Sequence, residues 1–285
     1  MRLHVLAACL LLAACGKSTD ETKNAKAVAR PTVVEKAISK EIQMASIGEL
    51  TRPKRMDAKL RDATIVDPRL WPASLYSFFD GGSCTSTLVG SQVILTAAHC
   101  VSNGSTVDFA IGGRQYRAIC EQAPGYPSDT SEDYALCAVN RPVTGVRFER
   151  INTDSNRIGP GWGLLLTGFG CITSGRTGGD DGVYRVGVVK VERMPSGSSN
   201  YIEARGEVAL CFGNSGGPSF LEDGKARWQI SVTSRINNGP GGVGLGKDTL
   251  LSSTSTPAAI NFFVSWSRRN SLAICGIHSV AQDCR

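Results

Sequence analysis

The sequence predicts an all-β protein of antiparallel strands, arranged as a sandwich or as barrels. From about residue 63 onward, short runs of Val, Ile, Leu and Thr alternate with clusters of Gly, Ser, Asn and Asp, the pattern of strands joined by tight turns. These runs do not alternate with long helices, which argues against a βαβ architecture. Of the 285 residues, 41% are hydrophobic and only 20% are charged, so the chain can bury a sizeable core.

Ten candidate strands follow one another along the chain. They are residues 85–89, 92–96, 105–111, 114–121, 134–139, 162–168, 183–193, 218–221, 227–234 and 247–252. One helix is predicted near the C-terminus, because Thr256 can cap it and Pro257 fits the first helical position. On that helix, Ile260, Phe263 and Val264 would share the apolar face.

The first fourteen residues are typical of an export signal. Arg2 precedes an uninterrupted apolar run at residues 5–14, which has the length of a signal-peptide core and is too short to span a bilayer. The run ends in Leu12-Ala13-Ala14-Cys15, which resembles a bacterial lipoprotein signal, with Cys15 lipidated and anchoring the protein to a membrane. The alternative is an ordinary secretory signal in which Cys15 is incidental. Both interpretations export the protein, either to a bacterial membrane surface or into the medium.

The remaining chain divides into a tether and one domain. Residues 15–62 contain no Trp and, after Cys15, no Cys, and they are predicted to be a tether or pro-segment. Apolar residues at helical spacing indicate a short amphipathic helix at 32–46, which would pack on the domain, fray, or serve as a propeptide or partner-binding segment. Residues 63–285 form the predicted compact domain.

Composition excludes several classes of function. The ten cysteines include no Cys-x-x-Cys pair, which argues against zinc ribbons and thioredoxin-like chemistry. Once Cys9 is removed with the signal and Cys15 is lipidated, eight cysteines remain. An even number in an oxidising compartment indicates four disulfides, but the count does not show which cysteines pair. The net charge of +6 carries no basic block, so no nucleic-acid partner is expected. We expect a monomer with no metal and no cofactor.

Three short segments carry chemistry. Gly213-Asn214-Ser215-Gly216-Gly217-Pro218 places a serine hydroxyl on a tight turn, where backbone N–H groups can converge beside it. A nucleophilic serine needs a base, and the base needs a carboxylate to orient it. Downstream of the signal only His99 and His278 could be the base, and His99 ends a predicted strand in Thr96-Ala97-Ala98-His99-Cys100. Asp133 lies just before another strand.

In the order His99, Asp133, Ser215, these segments resemble the trypsin/chymotrypsin-like serine peptidases over about residues 63–270. The resemblance implies two six-stranded antiparallel β-barrels with the active site in the cleft between them and a C-terminal helix. Ser215 would be the nucleophile, His99 the general base and acid, and Asp133 the group that orients His99. The backbone N–H groups of Gly213 and Ser215 would form the oxyanion hole. The expected activity is that of a serine endopeptidase acting on protein or peptide substrates.

The resemblance also implies a disulfide pattern. One pair matches the family disulfide beside the catalytic histidine, and Cys211 matches the family cysteine in the nucleophile loop, for which we expect Cys171 as partner. The expected pairs are Cys84–Cys100, Cys120–Cys137, Cys171–Cys211 and Cys275–Cys284.

Two positions depart from trypsin itself. Asn214 stands where trypsin has the aspartate that pairs with a new N-terminal ammonium after activation, and a neutral amide cannot form that ion pair with comparable strength. We therefore expect an enzyme that is competent without N-terminal cleavage. Ala209 aligns with the floor of the specificity pocket, whose other expected members are Ser234 and Ile236. These residues predict a narrow, uncharged pocket for small or medium apolar side chains.

Two alternative functions stay open at this point. The first is a catalytically inactive member of the same family that acts as a binding or scaffold lipoprotein, and the presence of all three triad residues argues against it. The second is an esterase of the α/β-hydrolase type that uses Ser215, Asp248 and His278. That class needs a helix directly after the serine, which Gly216-Gly217-Pro218 disfavours.

Overall fold

A computed structural model shows two closed, six-stranded antiparallel β-barrels followed by one C-terminal helix, which confirms the predicted fold class. The residues that the structure describes are 64–79, 82–170, 182–206, 213–223, 226–236, 248–278 and 284. The export signal, the tether and the helix expected at 32–46 lie outside this part, and the domain boundaries stay predictions.

The N-terminal part of the domain forms barrel 1. A two-residue strand β1 (Thr64–Ile65) comes first and belongs to the other barrel. The strands of barrel 1 are β2 (Ser74–Phe79), β3 (Gly82–Gly90), β4 (Val93–Thr96), β5 (Thr106–Ile111), β6 (Arg114–Gln122) and β7 (Ala135–Val139). They close in the order β2-β3-β4-β7-β6-β5. Side chains alternate as expected for a half-buried strand: in β5, Val107 and Phe109 enter the core while Thr106 and Asp108 stay exposed.

The C-terminal part forms barrel 2. Strand β8 (Arg150–Ile151) follows the connection between the barrels and pairs in parallel with one strand of barrel 2. The strands of this barrel are β9 (Gly163–Gly168), β10 (Arg185–Arg193), β11 (Tyr201–Gly206), β12 (Pro218–Glu222), β13 (Arg227–Ile236) and β14 (Asp248–Ser253). They run in the order β9-β10-β11-β14-β13-β12, and pairing of β12 with β9 closes the ring.

A buried ion pair and an aromatic cluster join the two barrels. Glu149, fully buried in the connection between them, accepts a hydrogen bond of 2.9 Å from Nε of Arg227 on β13. The Arg227 guanidinium also lies 4.4 Å above the ring of Trp71, which packs at a ring-centroid distance of 5.7 Å from Phe220 of barrel 2. Removing one member of a buried pair leaves an uncompensated charge, so this contact fixes how the barrels meet at the cleft.

The C-terminal helix α1 (Pro257–Asn270) begins where the sequence predicts. Thr256 caps it by accepting a hydrogen bond from the backbone N–H of Ala259, and Pro257 starts the first turn. The buried face is rotated from the predicted one, because Phe262, Phe263 and Trp266 enter the core, whereas Ile260 and Val264 are half-buried. The larger aromatic side chains fill the space against barrel 1. Among the described residues, no helix is long and apolar enough to cross a membrane.

Candidate active site

Barrel 1 carries His99 and Asp133 at neighbouring strand ends. His99 lies in a 3-10 turn, Ala98–Cys100, directly after β4, and Asp133 lies just before β7, the strand that pairs with β4. The disulfide Cys84–Cys100 ties the turn back to β3. The Asp133 carboxylate is fully buried, while 31% of the His99 side chain is exposed. The imidazole therefore stands between a buried anion and the solvent-accessible cleft.

Three short hydrogen bonds hold the Asp133 carboxylate. Oδ1 accepts from the His99 backbone N–H at 2.8 Å, and Oδ2 lies 2.6 Å from His99 Nδ1 and accepts from Ser234 Oγ at 2.5 Å. Burial is the largest single influence on Asp133 and raises its pKa. The hydrogen bonds from His99 and Ser234, together with the charge of His99, lower it by more, so the pKa of Asp133 lies below its usual value. An ionised carboxylate only accepts hydrogen bonds, so Nδ1 carries the proton and Nε2 of His99 is left as the base.

Ser215 lies on a glycine turn that packs against barrel 1. Gly213 and Gly216 have φ values of 93° and 79°, a left-handed conformation that glycine adopts without strain. A Cβ at Gly216 would lie 2.2 Å from Thr96 Oγ1 and 2.3 Å from the carbonyl oxygen of Thr85, so only glycine fits there. This contact places the residue after Ser215 against Thr96, three residues before His99. The serine is half-buried.

Thr85 of β3 connects three points of the nucleophile region, and we call these contacts the Thr85 latch. Its Oγ1 donates to the carbonyl of Gly213 at 2.7 Å and accepts from the N–H of Phe169 at 3.0 Å. Its backbone N–H donates to the carbonyl of Ser215 at 2.8 Å. Thr85 is fully buried, so these bonds are shielded from water. One barrel 1 side chain thus fixes the turn that carries the nucleophile.

Asn214, next to Ser215, binds backbone instead of a charged group. Its Oδ1 accepts from the N–H of Gly170 at 3.0 Å. A Cβ at Gly168 or at Gly170 would lie 2.6 Å or 2.3 Å from atoms of the Asn214 amide, so the two glycines make room for it. The carbonyl of Gly170 in turn accepts from Nη1 of Arg185, which is 5% exposed, at 2.8 Å. A neutral amide at this position is therefore matched by a neutral backbone donor.

The described residues thus bring together most of the predicted site. His99 and Asp133 are hydrogen-bonded, and the turn bearing Gly213 and Ser215 packs against the same strands. Between the described side chains of His99 and Ser215 there is no direct hydrogen bond, and in enzymes without substrate this bond is often long and tightens only in the complex.

The pocket residues have mixed outcomes. Ser234 bonds to Asp133, and Ile236 is half-buried and packs against the core of barrel 2. Ala209 lies outside the described residues, and so does the expected pair Cys171–Cys211.

The alternative triad Ser215, Asp248 and His278 does not assemble. Asp248, at the start of β14, is hydrogen-bonded to Arg205 of the neighbouring strand β11. His278 Nδ1 accepts from the backbone N–H of Ile274 within the C-terminal loop. No helix follows Ser215, since β12 begins at Pro218. The esterase interpretation was therefore wrong about both the fold and the triad.

Within the described ranges, three disulfides agree with the expected pairing. They are Cys84–Cys100, Cys120–Cys137 and Cys275–Cys284. Among the described residues, one group of potential metal ligands comprises Cys84, His99 and Cys100. Its two sulfurs are joined to each other and are not thiolates, the form that binds metals, so this cluster is not a metal site.

Two groups of contacts in the candidate site were not predicted from sequence. One is the Thr85 latch, and the other is a group of polar side chains beyond Ser234 that includes Arg235 and Tyr201. A threonine in a strand and an arginine at a strand end are common surface or core residues, so neither gives a sequence signal of its own.

Comparisons with known proteins agree with this geometry. The chain matches the Trypsin family over residues 66–251, which is more than half of its length. It is 25% identical over 173 residues to brachyurin of Leptuca pugilator, an alignment that covers 53% of this chain and 76% of brachyurin. The fold is similar to the solved structure of neuropsin, described as a serine protease expressed in the limbic system of mouse brain, with a TM-score of 0.54. The two sequences are 20% identical, and the match covers 72% of this chain and 96% of neuropsin. The chain belongs to the trypsin family of serine endopeptidases.

Proposed function

We propose that this protein is an exported serine endopeptidase that cleaves protein substrates through His99, Asp133 and Ser215. The observation that carries the proposal is the His99–Asp133 pair, in which a buried, ionised carboxylate holds the proton on Nδ1 and leaves Nε2 as a base. The docking of the Ser215 turn against β3 and β4 supports the serine as the group that Nε2 would deprotonate.

The reaction would proceed through an acyl-enzyme. Ser215 Oγ attacks the scissile carbonyl carbon while His99 Nε2 takes its proton, and His99 then gives that proton to the leaving amine as the C–N bond breaks. The backbone N–H groups of Gly213 and Ser215 stabilise the negative oxygen of the tetrahedral intermediate, and one such donor typically lowers the barrier by about 3–4 kcal/mol. Water, deprotonated by His99, then hydrolyses the ester and restores Ser215.

The oxyanion turn would be ordered without a cleaved N-terminus. Support comes from the Asn214–Gly170 hydrogen bond and from the Thr85 latch, both of which use groups within the folded domain. Protein carrying the whole tether should therefore react as fast as protein cut near Ile65. A tethered protein that stays inert until it is cut would contradict this part of the proposal.

Two further features of the function come from sequence. The pocket formed by Ala209, Ser234 and Ile236 would accept small or medium apolar side chains, and a peptide library dominated by cleavage after Arg or Lys would refute it.

Lipidated Cys15 would hold the enzyme at a bacterial membrane. Mass spectrometry of the mature N-terminus should find an acylated cysteine, and Cys15→Ser should release the protein into the soluble fraction.

Fluorophosphonate labelling tests the central proposal, because the probe reacts only with an activated serine. The wild type should be labelled at Ser215, and Ser215→Ala should abolish both labelling and peptide hydrolysis, with a rate loss of about 10⁶. Ser198→Ala, which removes an exposed hydroxyl between β10 and β11, is the matched control and should be labelled normally. A folded wild type that neither labels nor cleaves would instead favour the inactive binding homologue.

A further inference from the structure

Arg235 lies at the edge of the cleft, one residue from the contact between the barrels. In the pairing of β13 with β14, the register shifts between Thr233 and Arg235, so Ser234 is an extra residue. Bulges of this kind redirect side chains next to active sites. Here Ser234 points to Asp133 of barrel 1, and Arg235 follows directly.

Two tyrosines lie near Arg235, and we call Tyr126, Tyr201 and Arg235 the arginine–tyrosine cluster. Arg235 Nε donates to Ser234 Oγ at 3.4 Å, and the guanidinium carbon lies 6.0 Å from the centre of the Tyr201 ring. The pKa of Tyr126 is raised, mainly by burial and further by the negative charge of Asp133. The positive charge of Arg235 lowers the pKa of Tyr126 and partly opposes this rise. Tyr126 therefore lies within the electrostatic range of both groups.

The guanidinium of Arg235 has no carboxylate partner among the described residues, although Arg235 is half-buried. Other arginines of the same barrel are paired, for example Arg193 with Glu203 and Arg205 with Asp248. Partial burial of an uncompensated charge carries a desolvation cost. With Nε bound to Ser234, the two terminal nitrogens have no hydrogen-bond partner in the part of the chain that the structure describes, and their planar fork suits a carboxylate.

We propose that Arg235 binds an acidic side chain of the peptide substrate within a few residues of the scissile bond. The inference rests on the proposed endopeptidase function and names its substrate class. The enzyme then prefers peptides that combine a small or medium apolar residue in the primary pocket with Asp or Glu beside it.

A purely supporting role for Arg235 makes a different prediction. Because Ser234 Oγ contacts both Asp133 and Arg235, the arginine could act through Ser234 on the catalytic pair. In that case its removal would slow the hydrolysis of every substrate by the same factor. Substrate recognition instead changes only the ratio between charged and neutral substrates.

The test compares matched peptides that differ by Glu or Gln at one position, scanned over four residues on either side of the scissile bond. Wild-type kcat/KM should favour Glu over Gln by about tenfold to a hundredfold at one position, the range expected for a hydrogen bond to a charged group. Arg235→Gln should abolish that ratio, and Arg235→Glu should reverse it in favour of Lys. Arg141→Gln, which removes the same charge at the far end of β7, should keep the wild-type ratio.

Two results would overturn the inference: a wild type without a preference for Glu, or a Glu/Gln ratio that stays unchanged in Arg235→Gln, whether or not both rates fall equally. Fluorophosphonate labelling separates this failure from that of the proposed function. A wild type that labels but shows no preference for Glu refutes only the role of Arg235. A wild type that does not label refutes the endopeptidase proposal itself.

Discussion

The two barrels support their parts of the candidate active site in different ways. In barrel 1, His99 and Asp133 are joined by two direct hydrogen bonds and braced by the Cys84–Cys100 disulfide, all within that barrel. In barrel 2, the Ser215 turn is rich in glycine and is held from both barrels, by Thr85 of barrel 1 and by the backbone of Thr233 in barrel 2.

This difference separates two requirements of the chemistry. The base must have one fixed tautomer, which a buried carboxylate within the same barrel provides. The nucleophile and the oxyanion donors must be placed to within a fraction of an ångström of the substrate carbonyl. A glycine turn allows the close approach of backbone N–H groups but has little rigidity of its own, so contacts from both barrels, including the Thr85 latch, supply that rigidity. Changes in barrel 1 should therefore affect either half of the site.

Among changes within barrel 1, the largest effect is expected for Asp133→Asn. The new amide would donate a hydrogen bond to His99 Nδ1, which places the imidazole proton on Nε2 and removes the base while the fold stays intact. We expect kcat to fall by about 10⁴ near neutral pH. Steady-state hydrolysis of a peptide measures it. Asp108→Asn, which changes an exposed aspartate paired with Arg117 in the same barrel, is the control and should keep full activity. A loss below tenfold in Asp133→Asn would show that Asp133 does not set the tautomer.

A smaller effect is expected from breaking the Thr85 latch. Thr85→Val leaves the buried Phe169 N–H and Gly213 carbonyl without their hydroxyl partner, which should lower stability by about 2 kcal/mol. Because the Gly213 N–H is a proposed oxyanion donor, we expect kcat to fall about tenfold to a hundredfold with little change in KM. Peptide hydrolysis and chemical denaturation measure the two effects.

The chain offers a matched control for this variant. Thr87 lies two residues along the same strand and is also fully buried, but its hydroxyl has no hydrogen-bond partner among the described residues. Thr87→Val should therefore leave kcat unchanged, whereas Thr85→Ser should keep most of the wild-type rate. Equal losses in Thr85→Val and Thr87→Val would assign the effect to packing and reject the latch.

The sequence predicts the parts of the fold whose signals are local. Helix α1 follows from its cap at Thr256, and most strands follow from their branched apolar residues. Strands β2 and β11 were not predicted. In β11, Glu203 and Arg205 are residue types that are depleted in strands, and cross-strand ion pairs with Arg193 and Asp248 accommodate them on the exposed face. In β2, Ser74 and Ser77 interrupt the apolar pattern, yet both are buried with hydroxyl partners.

The same division applies to the site. His99, Asp133 and Ser215 stand in distinctive segments, so a family resemblance identifies them. Thr85 and Arg235 stand in ordinary segments, and their roles depend on contacts with residues far away in sequence, such as Gly213 for Thr85. Such roles follow only from the packing of one barrel on the other.

The smallest expected effect concerns acid stability and isolates the Asp133 contacts of barrel 1. Because the folded protein lowers the pKa of Asp133, these contacts stabilise it fully above the usual aspartate value near 3.8. As the pH falls from there through the lowered folded-state pKa, the unfolded chain takes up the proton first and this stabilisation is lost. The loss is about 1.4 kcal/mol for each pH unit between the two pKa values.

Urea denaturation of the wild type and Asp133→Asn between pH 6 and pH 2 would measure this loss. The free energy of unfolding of the wild type minus that of Asp133→Asn should be constant above about pH 5. Below pH 4 it should decrease, because only the wild type loses stabilisation as Asp133 takes up its proton. Glu132, whose pKa is raised by desolvation and by the charge of Asp129, titrates in both proteins and largely cancels. A difference that stays constant to pH 2 would mean that His99 and Ser234 do not stabilise the ionised carboxylate. Any contribution of Asp133 to stability would then come from packing alone.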